Sequence, residues 1–356
     1  MLGVVPEKRV SFADEATNYD FQPEKMRQLA EVMGLRERRV ARPSQCTSDM
    51  CQWGVEYLVG SGRLALDTVD AMLLVTQTPD HFVPPTSAVL HGKLRMPKTV
   101  GCADINDGCA GYVRGLLLGF SLLQLEGVER VLVLAGDTLS RACSPHDRAI
   151  YPLIGDAASV TLLERSDSTD QVFADLRTDG SRADWLKIPA GAFRLPPTDH
   201  TRRLRDSGDG NRRSLEQFHM NGPGIFLFTQ TDVPQMLEEL LAFAGVTVEE
   251  VDYFLFHQPN RFLLRKLGQR LGAGPDRLLD NLVEWYGNSS SATIPVLTCQ
   301  NLATQLGGNR YRVCLGGFGV GLSWGGMVMN LGPLDFCELA EMPSDASAGR
   351  EQTPHG

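Results

Sequence analysis

The sequence has no uninterrupted run approaching the roughly 20 apolar residues a membrane-crossing helix needs. Its opening, MLGVVPEKRV, has no charged segment leading into a long apolar stretch. No membrane span and no signal peptide are therefore expected, and the predicted location is the cytoplasm. Cysteine pairs at zinc-ligand spacing are missing too: of eight cysteines, Cys46 and Cys51 lie close together, with no second pair to match. Reduced thiols and no metal site are the expectation. Basic residues are in deficit, 34 Lys and Arg against 43 Asp and Glu, for a formal charge of −9. Nucleic acid as a bulk partner needs clustered cations to neutralise phosphate, so none is expected. The 356 residues can bury a large core in one big domain or two ordinary ones.

What the sequence does contain is a weak internal repeat. Residues 69–76, VDAMLLVT, align with residues 251–258, VDYFLFHQ, at an offset of 182. At the same offset Asn106, in DINDGCAG, falls on Asn288, in YGNSSSA. RVLVLAG from Arg130 falls opposite YRVCLGG from Tyr311 at 181. Three matches in one order predict a duplicated α/β unit. Local patterns agree. Val113, Leu116, Leu117, Phe120 and Leu123 follow helical spacing and end near Gly127, while VLVLAGD reads as a buried parallel strand. YFLFH reads as a strand and RFLLRKLGQRL as a helix. The predicted halves are residues 1–170 and 171–335, with covered sheets. Residues 336–356 read as a disordered tail. Residues 189–215, rich in Pro, Gly and Arg, read as a long loop, either solvated surface or a pocket cover.

Three side chains stand where chemistry is done. Cys109 falls between a strand-like segment and a helix start near Ala110, where unpaired N–H groups and the helix dipole favour thiolate. The competing reading is a small buried hydrophobe. His257 ends the strand YFLFH, at the carboxyl edge where α/β sheets present functional groups; a satisfied core histidine is its alternative. Asn288 sits three residues before the position equivalent to Cys109 in the second copy, so its amide can face the same region; a helix cap or turn is its alternative. Near the C-terminus GGFGVGLSWGG places Gly319, Val320 and Gly321 just after a strand, a turn able to aim backbone N–H groups at an oxyanion.

Taken together, DGCAGYVRGL, FHQPNRFLLRKL, WYGNSSSATIP and GGFGVGLSWG resemble β-ketoacyl-acyl carrier protein synthase III, and RACSPHDRAIYPLIGDAASVTLLE is similar to that family as well. The likeness runs from about Val5 to about Leu331, and against the family pattern the chain starts inside the first strand. The resemblance implies the thiolase fold, α/β in five αβαβα layers, and a homodimer. It implies no resident cofactor, with acyl-CoA or acyl carrier protein thioesters and a malonyl thioester as substrates. Cys109 would hold the acyl group. His257 and Asn288 would stabilise the enolate released by decarboxylation. The N–H groups of Cys109 and of the 319–321 turn would hold the new oxyanion.

The sequence also departs from that family. A Trp and an Arg that sandwich the adenine of coenzyme A in the family are absent, with Gln28 and Val32 near those places. Phe262 and Leu227 replace two basic residues of the entrance. A carrier-protein donor and a specialised pathway fit these losses better than free coenzyme A. Arg36, Arg38, Arg39 and Arg42, with Arg261, Arg265 and Lys266, read either as a docking patch for an acidic carrier protein or as a solvated charged face. Two rival functions share the fold: transfer of the Cys109-bound acyl group to a hydroxyl or amine, and a non-catalytic carrier-binding subunit. Asn288 argues against the first and the intact Cys109 and His257 against the second.

Overall fold

The computed structural model describes residues 1–15, 18–19 and 22–346. Ten strands build two sheets: β1 (Leu2–Pro6), β2 (Ala71–Val75), β3 (Gly101–Ile105), β4 (Arg130–Asp137), β5 (Ala157–Glu164), β6 (Phe173–Thr178), β7 (Tyr253–Phe256), β8 (Tyr311–Gly319), β9 (Ser323–Leu331) and β10 (Glu338–Met342). The first sheet runs β10-β1-β5-β4-β2-β3 and the second β7-β8-β9-β6. Both contain the same four-strand pattern. In β2-β4-β5-β1 one parallel pairing is followed by two antiparallel ones, and β7-β8-β9-β6 repeats it. The duplication read from the sequence is therefore a duplication of topology.

The main helices are α1 (Pro23–Met33), α2 (Thr47–Gly60), α3 (Thr86–Lys93), α4 (Gly111–Leu122), α5 (Gly222–Gln230), α6 (Asp232–Ala244), α7 (Arg261–Leu271) and α8 (Thr293–Leu306). Helices α4 and α8 begin 182 residues apart and lie between the sheets. Their apolar faces join Val75, Val133, Leu315 and Met327 in one buried cluster. Each such side chain removed from water contributes about 1.5–3 kcal/mol before the entropy of ordering is set against it. Helices α2 and α3 cover the outer face of the first sheet, and α6 and α7 that of the second, giving five layers αβαβα.

A glycine row sets how close α4 comes to its sheet. A Cβ on Gly111 would stand 2.4 Å from Val75, one on Gly115 2.9 Å from Val75, and one on Gly119 2.5 Å from Leu163. Side chains there would push the helix outward and carry Cys109 with it. The helix begins at Gly111 after Ala110, as the pattern predicted, and stops at Leu122, short of Gly127.

Two expectations are corrected. The region assigned to a disordered tail contains β10, which pairs in parallel with β1 from Leu2↔Glu338 to Pro6↔Met342, and Phe336 and Met342 are buried. Its acidic residues suit an edge strand, where charge on the open side discourages further pairing. Residues 347–356 lie outside the described residues. Segment 189–215 is not a pocket cover: none of its residues lines the main cavity. It contains a short helix, Asp199–Arg202, and the paired strands Arg205–Asp206 and Arg212–Arg213. It is tied to segment 144–150 by the Arg213–Asp147 ion pair and by a 2.6 Å hydrogen bond from the Ser144 hydroxyl to the Arg212 carbonyl.

Candidate active site

Cys109, His257, Asn288, Gly319 and Val320 come from four separate places in the chain and meet on one cavity of about 370 Å³. Strand β3 delivers Cys109 through the loop 106–108. Strand β7 ends one residue before His257. Asn288 precedes α8, and the 319–321 turn joins β8 to β9. Gly321 does not line the cavity. The turn crosses so near the thiol that a Cβ on Gly319 would lie 2.8 Å from Cys109 Sγ.

Burial sets the protonation of this site. The Cys109 residue is half-buried, yet its sulfur is enclosed by protein, and burial pushes the thiol up to about 12. The Ser290 hydroxyl, 4.0 Å from Sγ, opposes that rise, while the charges of Asp137 and Asp107 add to it. Desolvation thus acts against the thiolate that the helix start alone favours. His257 is 2% exposed, and burial lowers its imidazole to about 3, so the ring is neutral. Its Nδ1 lies 2.8 Å from the Thr293 hydroxyl on the first turn of α8. That hydroxyl is also 2.9 Å from the Ser290 carbonyl. If its proton goes to the carbonyl, Nδ1 must carry the ring proton; if to Nδ1, Nε2–H is left as the donor.

The Asn288 side chain is fixed by its own loop. Its Oδ1 accepts a 2.9 Å hydrogen bond from the Ser290 N–H, so the amide NH₂ remains to donate. The backbone locks too: Asn288 N donates to the Leu153 carbonyl at 2.7 Å and Gly155 N donates back at 3.0 Å. Ser290 itself holds φ +53, a left-handed conformation that is unusual for a side-chain-bearing residue and concentrated at functional sites.

The sequence did not single out Ser290, Thr293 or Asp107. Ser290 and Thr293 sat in plain view in the tract NSSSAT, but nothing there distinguishes one hydroxyl from the next. Asp107 borders Cys109, but nothing in the sequence near it shows what its carboxylate meets.

The remaining cavity wall is mostly apolar, with Gln77, Thr229, Asn260 and Ser290 as its polar members. Phe226 of α5 and Phe262 of α7 stack at 6.0 Å, with Met33, Ile225 and Leu263 also on the wall. Among the described residues no Lys, Arg, Asp or Glu lines it.

Two members of the proposed basic patch, Arg38 and Arg39, are buried. Arg38 is 3% exposed, donating to Glu15 at 2.6 Å and to the Ile154 carbonyl at 2.9 Å. Arg39 is 2% exposed, bound to the Pro6 carbonyl and Glu341. Both hold the strand Glu37–Arg39 inside the protein and are unavailable for docking. Arg261 pairs with Glu284 and Arg265 with Asp280. Arg36 is exposed but lies over the Trp285 ring at 4.1 Å. Arg38, Arg39, Arg261 and Arg265 are matched by acids, while Arg36, Arg42 and Lys266 stay exposed.

A thiol and two hydrogen-bond donors, presented to one cavity by two duplicated α/β halves, define the thiolase-fold condensing enzymes. The comparisons with known proteins narrow this. The profile described as 3-oxoacyl-[acyl-carrier-protein (ACP)] synthase III matches residues 103–180, and its C-terminal counterpart matches residues 241–331. A β-ketoacyl-[acyl-carrier-protein] synthase III of Gloeobacter violaceus is 33% identical over 307 residues, 86% of this chain and 90% of that protein. The Streptococcus uberis protein of the same description is 31% identical, covering 85% of this chain and 90% of its own length. The solved 3-oxoacyl-(acyl-carrier protein) synthase of Burkholderia xenovorans LB400 superposes with a TM-score of 0.88 at 33% identity, covering 96% of this chain and 95% of that one. The chain belongs to the 3-oxoacyl-acyl carrier protein synthase III family and is a condensing transferase.

Proposed function

We propose that Cys109 carries the acyl intermediate and that His257 and Asn288 drive the decarboxylative step. The single observation carrying this is the convergence of the three side chains on one cavity that, among the described residues, no charged side chain lines. In the first half-reaction the Cys109 sulfur attacks an acyl thioester carbonyl. The carbon–sulfur bond to the carrier breaks, the thiol proton leaves with the carrier thiol, and the acyl group stays on Cys109. In the second, a malonyl thioester enters and loses carbon dioxide. The electrons of the broken carbon–carbon bond become an enolate, stabilised by N–H donors from His257 Nε2 and Asn288 Nδ2. The enolate carbon attacks the Cys109 thioester, and the N–H groups of Cys109 and of the 319–321 turn receive the oxyanion. Collapse forms the β-ketoacyl thioester and releases the thiolate. A neutral imidazole suits this role, because a donor is needed and a base is not. The tautomer required is the one in which Thr293 donates to Nδ1.

The acyl donor proposed is a carrier-protein thioester. Coenzyme A brings an adenosine with phosphates, and phosphates call for cations. The cavity wall has Phe226 and Phe262 stacked on each other and, among the described residues, no Lys or Arg. Docking would rest on the few exposed cations, such as Arg36, together with this apolar rim. A homodimer is also proposed: Phe82, Val83 and Phe193 are 67%, 81% and 88% exposed, and the two Phe rings lie 5.5 Å apart. Large exposed apolar patches of this kind mark interfaces.

Intact-protein mass spectrometry tests the reading. Reduced enzyme is offered a panel of acyl-coenzyme A and acyl-carrier thioesters, then malonyl-carrier protein. An adduct on Cys109 that clears with formation of a β-ketoacyl product supports condensation. An adduct that survives malonyl thioester, or no adduct from any donor, sinks it.

A further inference from the structure

The carboxylate of Asp107 lies outside the reaction just described, yet it joins the two loops that frame the thiol. The residue is 7% exposed. Its Oδ1 accepts from the Gly108 N–H at 2.9 Å, fixing the turn that delivers Cys109. Ser323, 216 residues further on and 6% exposed, donates its hydroxyl to the same carboxylate, 3.1 Å from Oδ1 and 3.3 Å from Oδ2. Arg114, one helical turn into α4, donates Nε to Oδ2 at 2.7 Å as its ion-pair partner.

Ser323 is the first residue of β9 and the register partner of Gly319, so it closes the hairpin containing the 319–321 turn. The other side of that hairpin presses on the thiol loop. A Cβ on Gly317 would lie 2.6 Å from the Cys109 carbonyl, and one on Gly319 2.8 Å from its sulfur. The oxyanion hole proposed above takes one N–H from each loop. Its geometry therefore depends on the distance between two segments from different halves of the chain. Side-chain hydrogen bonds between those segments converge on one carboxylate.

We infer that Asp107 is a positioning residue: bonded to Gly108, Ser323 and Arg114, it holds the Cys109 loop and the 319–321 turn in register so that their N–H groups meet on one oxyanion. The inference rests on the proposed role of Cys109. Its role differs from plain stabilisation in what it affects. Acylation by an ester develops an oxyanion and needs both N–H groups, whereas alkylation of the same sulfur develops none.

The test compares wild type with Asp107→Ala, Asp107→Asn and Ser323→Ala by two reactions at Cys109. These are acylation by p-nitrophenyl hexanoate, followed by mass and by nitrophenolate release, and alkylation by iodoacetamide. Asp107→Ala is expected to slow acylation about 30–100-fold, below the effect of deleting an oxyanion donor outright, while alkylation changes less than about 3-fold. Asp107→Asn keeps an acceptor for Gly108 and Ser323 and is expected within about 5-fold of wild type in acylation. With the nearby charge gone, its alkylation profile is expected to shift to lower pH, since the Asp107 charge raises the thiol. Ser323→Ala, which cuts the link from the other side, is expected to follow Asp107→Ala, and it carries the test if Asp107→Ala fails to fold. Equal falls in both reactions, or wild-type acylation in Ser323→Ala, would overturn the inference. Should the wild-type thiol itself not be acylated, the proposed function fails and this inference with it. An acylated wild type with unaffected variants removes the inference alone.

Discussion

The imidazole of His257 and the hydroxyl of Thr293 meet at 2.8 Å, joining the end of β7 to the first turn of α8. That contact decides which ring nitrogen faces the cavity. With Thr293 donating to Nδ1 in place of the Ser290 carbonyl 2.9 Å away, Nε2 carries the proton. Thr293→Val removes the contact, frees the ring to take the other tautomer, and is expected to slow condensation about 10-fold while leaving acylation of Cys109 near wild type. Single-turnover mass spectrometry separates the two steps, and ¹⁵N chemical shifts of the ring report the tautomer. A wild-type ring protonated at Nδ1 would contradict the assignment.

Because burial lowers His257 from 6.5 to about 3, the folded protein binds one proton fewer than the unfolded chain between those values. The stability this group contributes is complete above pH 6.5 and is lost as pH falls toward about 3. Denaturant titrations of wild type and His257→Asn across pH 4–8 check the sign, with the difference between them expected to shrink on acidification. Condensation itself is expected to show no ionisation of this ring from about pH 5 upward.

The Cys109 thiol, held up to about 12, is expected to react with iodoacetamide at a rate that climbs through pH 9 without levelling. A plateau below pH 8 would mean that the helix start, not burial, sets its ionisation. Cys109→Ser should abolish alkylation and acylation at position 109, read by peptide mapping, while the exposed Cys102 still alkylates.

Arg213 and Asp147 form an ion pair with side chains 5% and 1% exposed, which anchors segment 205–213 beside cavity residues 149–150. Arg213→Met leaves a buried carboxylate without its cation and is expected to cost about 3–5 kcal/mol in unfolding free energy. Urea titration measures the loss. A change within about 0.5 kcal/mol would mean that the carboxylate finds water instead.

At the entrance, Phe262→Arg places a cation beside the exposed Phe226. If the entrance discriminates against coenzyme A for want of charge, this variant is expected to lower KM for an acyl-coenzyme A donor about 5-fold, the scale of a solvent-exposed ion pair. KM for the carrier-protein donor should move little. Equal changes for both donors would argue that the entrance does not read the phosphates.

Much of the fold was legible because sequence patterns at short range carry it. The 182-residue offset between VDAMLLVT and VDYFLFHQ became β2 and β7, and RFLLRKLGQRL became α7 from its first residue to its last. Cys109, His257 and Asn288 could be named because strand ends and helix starts are local features, and the duplicated pattern placed them on one side of the molecule.

Other features were decided only when distant parts of the chain met. Arg38 and Arg39 look like surface cations until Glu15 and Glu341 reach them, the second 302 residues away. The segment ELAEM has the composition of a polar tail, but the free edge of β1 turns it into β10. The helix start at Ala110 favours a thiolate, whereas the surrounding protein removes water and favours the thiol. Asp107 is an ordinary loop acid in sequence, and only the hairpin carrying Ser323 makes it a link between the halves. The sequence alone determined the strongly patterned elements, such as β7 and α7, and which side chains stand at their ends, since those depend on neighbours within a few positions. The tertiary structure decided which charges are matched, which groups lose water and which loops share a hydrogen bond, because desolvation and pairing depend on separation in space.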